Sequence, residues 1–154
     1  MPLSSDIFIT DTSCLILLNK IDELSLLNKL SKSVLITPEI QREFGKKLPN
    51  WIQIRTPKDD HYQKILQMDL VPGEASVIAL TLEIENSILL IDDLKARKIS
   101  ERLNLKYSGT FGLILRAKQE GIIKHIRPVL DKVSNTDFRF SDKLFGIILE
   151  QAGE

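Results

Sequence analysis

Apolar residues along this chain come in two alternating patterns. Residues 7–9 (Ile7-Phe8-Ile9), 34–36 (Val34-Leu35-Ile36) and 88–91 (Ile88-Leu89-Leu90-Ile91) are unbroken apolar runs of strand length. Runs without polar alternation belong to strands covered on both faces. Between them the apolar positions recur at helical spacing. Asp11-Thr12-Ser13 reads as a turn and cap, followed by a short helix over residues 15–20. Asp22 is expected to cap a second helix, with Leu24, Leu27 and Leu30 on one face. Thr37-Pro38 starts a third, threonine as cap and proline in the first turn; Ile40 and Phe44 form its apolar face and Gly45 stops it.

The second half repeats the pattern. Residues 51–54 predict a strand, and Asp59 or Asp60 caps a helix running to about residue 68. Pro72-Gly73 opens a strongly apolar helix over roughly residues 74–85. A buried strand over 87–91 ends in Asp92-Asp93, with a helix over 94–103 and a strand over 105–108 behind it. Gly109-Thr110 caps a helix over 111–120 stopped by Gly121, and residues 126–133 and 142–151 predict two more. Strands separated by helices predict a parallel sheet wrapped by helices, an α/β domain. No linker, repeat or low-complexity stretch divides the chain, so residues 1–154 read as one domain.

Composition narrows the classes. The 21 basic and 21 acidic residues cancel, and 43% of residues are hydrophobic, which excludes a disordered tail and a highly basic nucleic-acid coat. No apolar run approaches the roughly 20 residues of a spanning helix. Residues 1–5 carry no basic start for a signal peptide, and the single cysteine, Cys14, has no internal disulfide partner. These features lead to the expectation of a cytoplasmic protein without a membrane segment. One cysteine and two histidines, His61 and His125, do not make a structural zinc site.

The chemistry lies in the acids. Asp11 directly follows the first strand, and Asp92 and Asp93 follow the strand that ends at Ile91. Functional groups gather at the carboxyl ends of strands in such sheets. Glu43 lies on the helix after Pro38, and Glu74 in the first turn after Pro72-Gly73. Singly, each acid could be a helix cap or a first-turn residue favoured by the dipole. Together they repel unless a cation sits among them. Oxygen donors without histidine or cysteine favour Mg²⁺ or Mn²⁺, ions that activate water and stabilise a phosphate transition state. The set therefore suggests metal-dependent phosphodiester cleavage. Lys95, Lys98 and Arg102 recur at helical spacing behind Asp93, and Arg42 and Lys46 flank Glu43. Such basic rims can hold a nucleic-acid backbone. No GxxxxGK[ST], GxGxxG or GxSxG motif is present.

These motifs, in this order, resemble PIN-domain nucleases, in particular the VapC-like branch of toxin–antitoxin systems. Ile9-Thr10-Asp11-Thr12-Ser13 looks like the family's first-strand motif, and Thr37 through Phe44 like its second, with the acid at Glu43. Pro72-Gly73-Glu74-Ala75 is similar to a variant in which Glu replaces the usual third Asp. Leu89-Leu90-Ile91-Asp92-Asp93 resembles the fourth motif, and Ser108-Gly109-Thr110-Phe111-Gly112 the step after it. The resemblance implies a three-layer α/β/α sandwich with a mainly parallel central sheet, and a Mg²⁺- or Mn²⁺-dependent endoribonuclease. By the same carry-over Asp11, Glu43, Glu74 and Asp93 would surround the metal; Asp92 or Asp93 could be the ligand, the simplest alignment favouring Asp93. Ser13 and Thr110 would line the pocket by hydrogen bonding. RNA as substrate, an antitoxin protein and a homodimer are further implications. The competing reading is a PIN-like module that binds RNA or protein without cutting.

Overall fold

The computed structural model describes residues 6–154; residues 1–5, where the sequence shows no basic start, lie outside the described residues. Five parallel strands form one sheet in the order β3-β2-β1-β4-β5. They are β1 (Ile7–Thr10), β2 (Ser33–Ile36), β3 (Ile52–Ile54), β4 (Ser87–Leu90) and β5 (Tyr107–Ser108). The apolar runs are central strands, and Phe8, Ile9, Val34, Leu35, Ile36, Leu89 and Leu90 are all buried, as a sheet covered on both faces requires.

Helices supply both covers of an α/β/α sandwich. α1 (Thr12–Lys20), α3 (Pro38–Phe44), α4 (His61–Leu66) and α5 (Pro72–Glu83) form one group, α3 packing on α1 and α5, and α4 on α5. α2 (Ser25–Leu30), α7 (Thr110–Gln119) and α9 (Asp142–Gln151) form a second group. α6 (Leu94–Arg102) packs beside β5, and α8 (Arg127–Ser134) precedes α9. The strongly apolar stretch after Pro72 is buried through the run Ala75 to Thr81, as befits a helix apolar on all sides. α4 buries no residue and leaves Tyr62, Ile65 and nearby Met68 exposed.

Strand order places the chemistry. The chain lays β2 and β3 to one side of β1, then crosses to lay β4 and β5 on the other. Thr10 pairs with Leu90 and Leu90 with Ser108, so the chain leaves β1, β4 and β5 at one edge of the sheet. The crevice where the order reverses, outside the carboxyl ends of β1 and β4, is where open α/β sheets hold ligands.

The predicted ends are mostly met. Thr37 caps α3 by accepting from the Ile40 N–H at 3.3 Å, and Gly45 closes it at φ 66°. Asp22 departs from expectation: it does not cap α2 but turns the chain at φ 58°, a left-handed conformation that Asp tolerates. α2 begins at Ser25 with no side-chain cap, held by buried Leu26, Leu27 and Leu30. The strand expected over 105–108 shortens to Tyr107–Ser108, with Leu105 only half-buried.

The C-terminal segment is pinned by polar and aromatic contacts. The Glu154 carboxylate accepts from the Ile126 N–H at 2.7 Å and the Arg127 N–H at 3.3 Å, and pairs with Lys118 Nζ at 2.7 Å. Phe111 meets Phe138 and Phe140 edge-on, and Phe140 stacks on Phe145 of α9. The Lys118 bond and the two N–H groups hold the Glu154 carboxyl down at about 2. A carboxyl lowered on folding stabilises above its ordinary range and loses that contribution as pH falls through its folded value. Thermal denaturation between pH 5 and pH 2 should therefore show a steeper fall in Tm for wild type than for Glu154→Gln. Parallel acid limbs would remove this carboxylate from the account.

Candidate active site

Asp11 leaves the end of β1 and is 3% exposed. It caps α1, its Oδ1 accepting from the Cys14 N–H at 2.9 Å. Burial pushes its carboxyl up to about 7; the Cys14 N–H opposes this, and the charges of Asp92 and Glu74 add to it. Glu74, in the first turn of α5, is raised by burial and then by the charges of Asp93 and Glu43, with Lys95 acting the other way. The other three acids thus act on Asp11 or Glu74. A cleft of about 100 Å³ is lined by Asp11, Thr12, Ser13, Glu43 and Glu74, with Ile40 and Val71.

The outer acids are held by hydroxyls and peptide groups. Thr12 Oγ1 donates to Glu43 Oε1 at 2.6 Å, joining the start of α1 to the exposed end of α3. Gly73 lets this happen: a Cβ there would collide with the Glu43 carboxylate. Asp92 accepts from the Thr110 N–H at 2.9 Å and from Thr110 Oγ1 at 2.6 Å. A Cβ on Gly109 would stand 2.6 Å from Asp92 Oδ1, so glycine is needed for that approach. Asp93 caps α6, accepting from the Ala96 N–H at 3.0 Å. The neighbouring acids therefore face different ways: Asp92 bears on Asp11, and Asp93 on Glu74.

Among the hydroxyls read from the sequence, Thr110 is buried and bonded to Asp92, while Ser13 stands exposed in the cleft wall. Lys95 is near enough for its charge to act on Glu74. Lys98 and Arg102 continue along the exposed face of α6, and Arg42 and Lys46 are exposed at the end of α3. Cys14 is buried and free, its thiol pushed up by burial and by Asp11, which makes it inert packing. Both histidines are largely exposed: His61 pairs with Asp59 at 2.8 Å, and His125 lies 3.8 Å from Glu154.

The donor set fits a hard divalent cation. It offers carboxylate oxygens alone, and it holds a buried Asp11 among like charges that a cation would relieve. Asp11, Glu43 and Glu74 line the cleft, whereas Asp92 lines a neighbouring pocket and Asp93 is exposed at the start of α6. Among the described residues, the group whose ligand atoms all lie within 4.8 Å of one another is Asp59, Asp60 and His61, exposed where α4 begins. There Asp59 accepts from the His61 N–H and ring, an ordinary exposed turn. Sequence reading missed Thr12 as a partner of Glu43, and Gly73 and Gly109 as points of close approach. A glycine within a helix's first turn, and one between a strand and a helix, were the available signals.

Carboxylates gathered at the switch point of a parallel sheet sandwiched by helices define a candidate ligand site. A family model for a PIN domain matches residues 7–154, and the chain belongs to that family. Searches of curated proteins and of solved structures find no match.

A buried acid raised on folding lowers stability as pH climbs from its ordinary value to its folded one. With chelator at pH 8, Asp11→Asn, which keeps the acceptor for the Cys14 N–H, should melt roughly 3–6 °C above wild type. The gap should narrow at pH 5, where Asp11 is protonated in the folded protein, and close only towards pH 4, its ordinary range; Mn²⁺ should raise wild type more than the variant. Equal melting at both pH values would show that Asp11 is not held among like charges.

Proposed function

We propose that this protein is a Mg²⁺- or Mn²⁺-dependent endoribonuclease that hydrolyses RNA phosphodiester bonds and serves as the toxin of a toxin–antitoxin pair. The observation that carries the reading is that Asp11, Glu43 and Glu74 line one cleft at the sheet's switch point, with Asp11 buried and the charges of Asp92 and Asp93 reaching Asp11 and Glu74 from beside it.

The division of labour follows from the contacts. Asp11, with Asp92 or Asp93, would hold the metal, while Glu43 and Glu74 complete the set and orient the attacking water. When bound, a divalent ion there activates water and neutralises charge at the phosphate. Thr12 and Thr110 keep Glu43 and Asp92 in position before substrate arrives. The charge of Lys95 reaches Glu74, and Lys98 and Arg102 extend a basic face along which a phosphate backbone can run. RNA as the substrate rests on the family branch that the motifs resemble, because an ion acting on phosphate does not sense the sugar. A protein partner, antitoxin or second copy, would find apolar surface at Tyr62, Ile65 and Met68 along α4.

The test is cleavage of a labelled mixed RNA pool, with a matching DNA pool, in Mn²⁺, Mg²⁺ or chelator. Wild type should cut RNA only with metal. Thr110→Val, which frees Asp92 from its hydroxyl partner, should lose about 10–100-fold. Asp11→Asn should lose more than that. Cleavage by Asp11→Asn equal to wild type would place the activity elsewhere. Metal uptake without cleavage of either pool would favour a binding module.

A further inference from the structure

The acid cleft has a neighbour that the reaction above leaves unused. Between the end of β5, the start of α7 and helix α9 lies a pocket of about 400 Å³, a size common among ligand sites. Asp92 stands in its wall, and the charge of that carboxylate reaches Asp11 in the cleft, so the pocket lies beside the acids. Leu144 and Ile147 of α9 form an apolar side and keep 37% and 40% of their surface exposed. Arg97 lies over the Tyr107 ring, its guanidinium carbon 5.3 Å from the centroid. No carboxylate lies within 4.0 Å of that guanidinium among the described residues. Gln151 brings an exposed side chain to the same pocket.

We propose that this pocket receives the unpaired nucleobase next to the phosphate that is cut, with Arg97 and Tyr107 as its platform. The inference rests on the endoribonuclease reading and adds how that enzyme engages its strand. Unpaired RNA bases stack on aromatic rings and on arginine planes, and guanidinium N–H groups also reach phosphate oxygens. The exposed faces of Leu144 and Ile147 suit the flat apolar side of a base. The Gln151 carboxamide carries both donor and acceptor and can read a base edge. A protein segment could cover the apolar side, but it would leave unused the guanidinium stacked on the Tyr107 ring beside Asp92. A duplex keeps its bases stacked inside, so the pocket selects single strands.

Binding is measured with chelator present, so that nothing is cut, by fluorescence anisotropy of a short labelled single-stranded RNA. The comparisons are the same strand with abasic positions and the matching duplex. Wild type should bind the base-bearing strand about tenfold more tightly than the abasic one. Arg97→Met and Ile147→Ser should lose that preference, and Gln151→Ala should flatten the ranking among the four homopolymers. Lys64→Gln on α4 serves as the control and should match wild type. Melting curves identify any variant that fails to fold, and Gln151→Ala, at an exposed position, keeps the test decisive. Equal binding of base-bearing and abasic strands by wild type, or wild-type discrimination in all three pocket variants, overturns the proposal. So does loss of self-association in Ile147→Ser with RNA binding intact, which makes the pocket a protein interface. A cleavage assay in parallel separates the two readings. Metal-dependent cleavage with unaffected pocket variants sinks the pocket alone. Base-selective binding without cleavage sinks the nuclease alone.

Discussion

Like charges gathered at the end of β1 constrain the rest of this molecule. Asp11 is buried at the one place where strand order reverses, and Asp92 and Glu74 press upon it while Glu43 and Asp93 press upon Glu74. Bringing carboxylates together in a half-dry cleft is unfavourable by itself. The fold tolerates it by partnering each carboxylate elsewhere. Asp11 and Asp93 also act as helix caps, where the peptide N–H groups of Cys14 and Ala96 need acceptors in any case. The same bonds that start α1 and α6 therefore orient the acids.

The remaining acids depend on contacts across the fold. Glu43 comes from α3 and is tied to Thr12 at the start of α1. Asp92 comes from the end of β4 and is tied to Thr110 at the start of α7. In both cases a glycine opposite, Gly73 or Gly109, removes the atom that would block the approach. These ties explain why the acids stay spread around a cleft instead of collapsing on one another, and why their hydroxyl partners matter as much as the carboxylates themselves.

The C-terminal part serves this centre at one remove. Glu154 gathers the Ile126 and Arg127 N–H groups and Lys118, which fastens the chain end to α7 and the start of α8. The phenylalanine cluster then docks α9 beside the start of α7. That docking places Leu144 and Ile147 opposite Asp92. A helix with no acid of the cleft on it thereby shapes the surface beside the acids.

Local chemistry determined much of this in advance. Unbroken apolar runs specify strands covered on both faces, and the Thr37-Pro38 and Gly45 signals bound α3 because caps and left-handed turns are properties of neighbouring residues. The strand-end acids were legible for the same reason: Asp11, Asp92 and Asp93 follow apolar runs directly. Asp22 was misread because a left-handed turn and a helix cap draw on the same residue type, and burial of Leu26, Leu27 and Leu30 decided where α2 begins. Tertiary structure alone decided which acid faces which, that Thr12 holds Glu43 over 31 positions of chain, and that Arg97 and Ile147 share a pocket with Asp92. Those relations come from strand order and helix docking, which bring together residues that no local pattern connects.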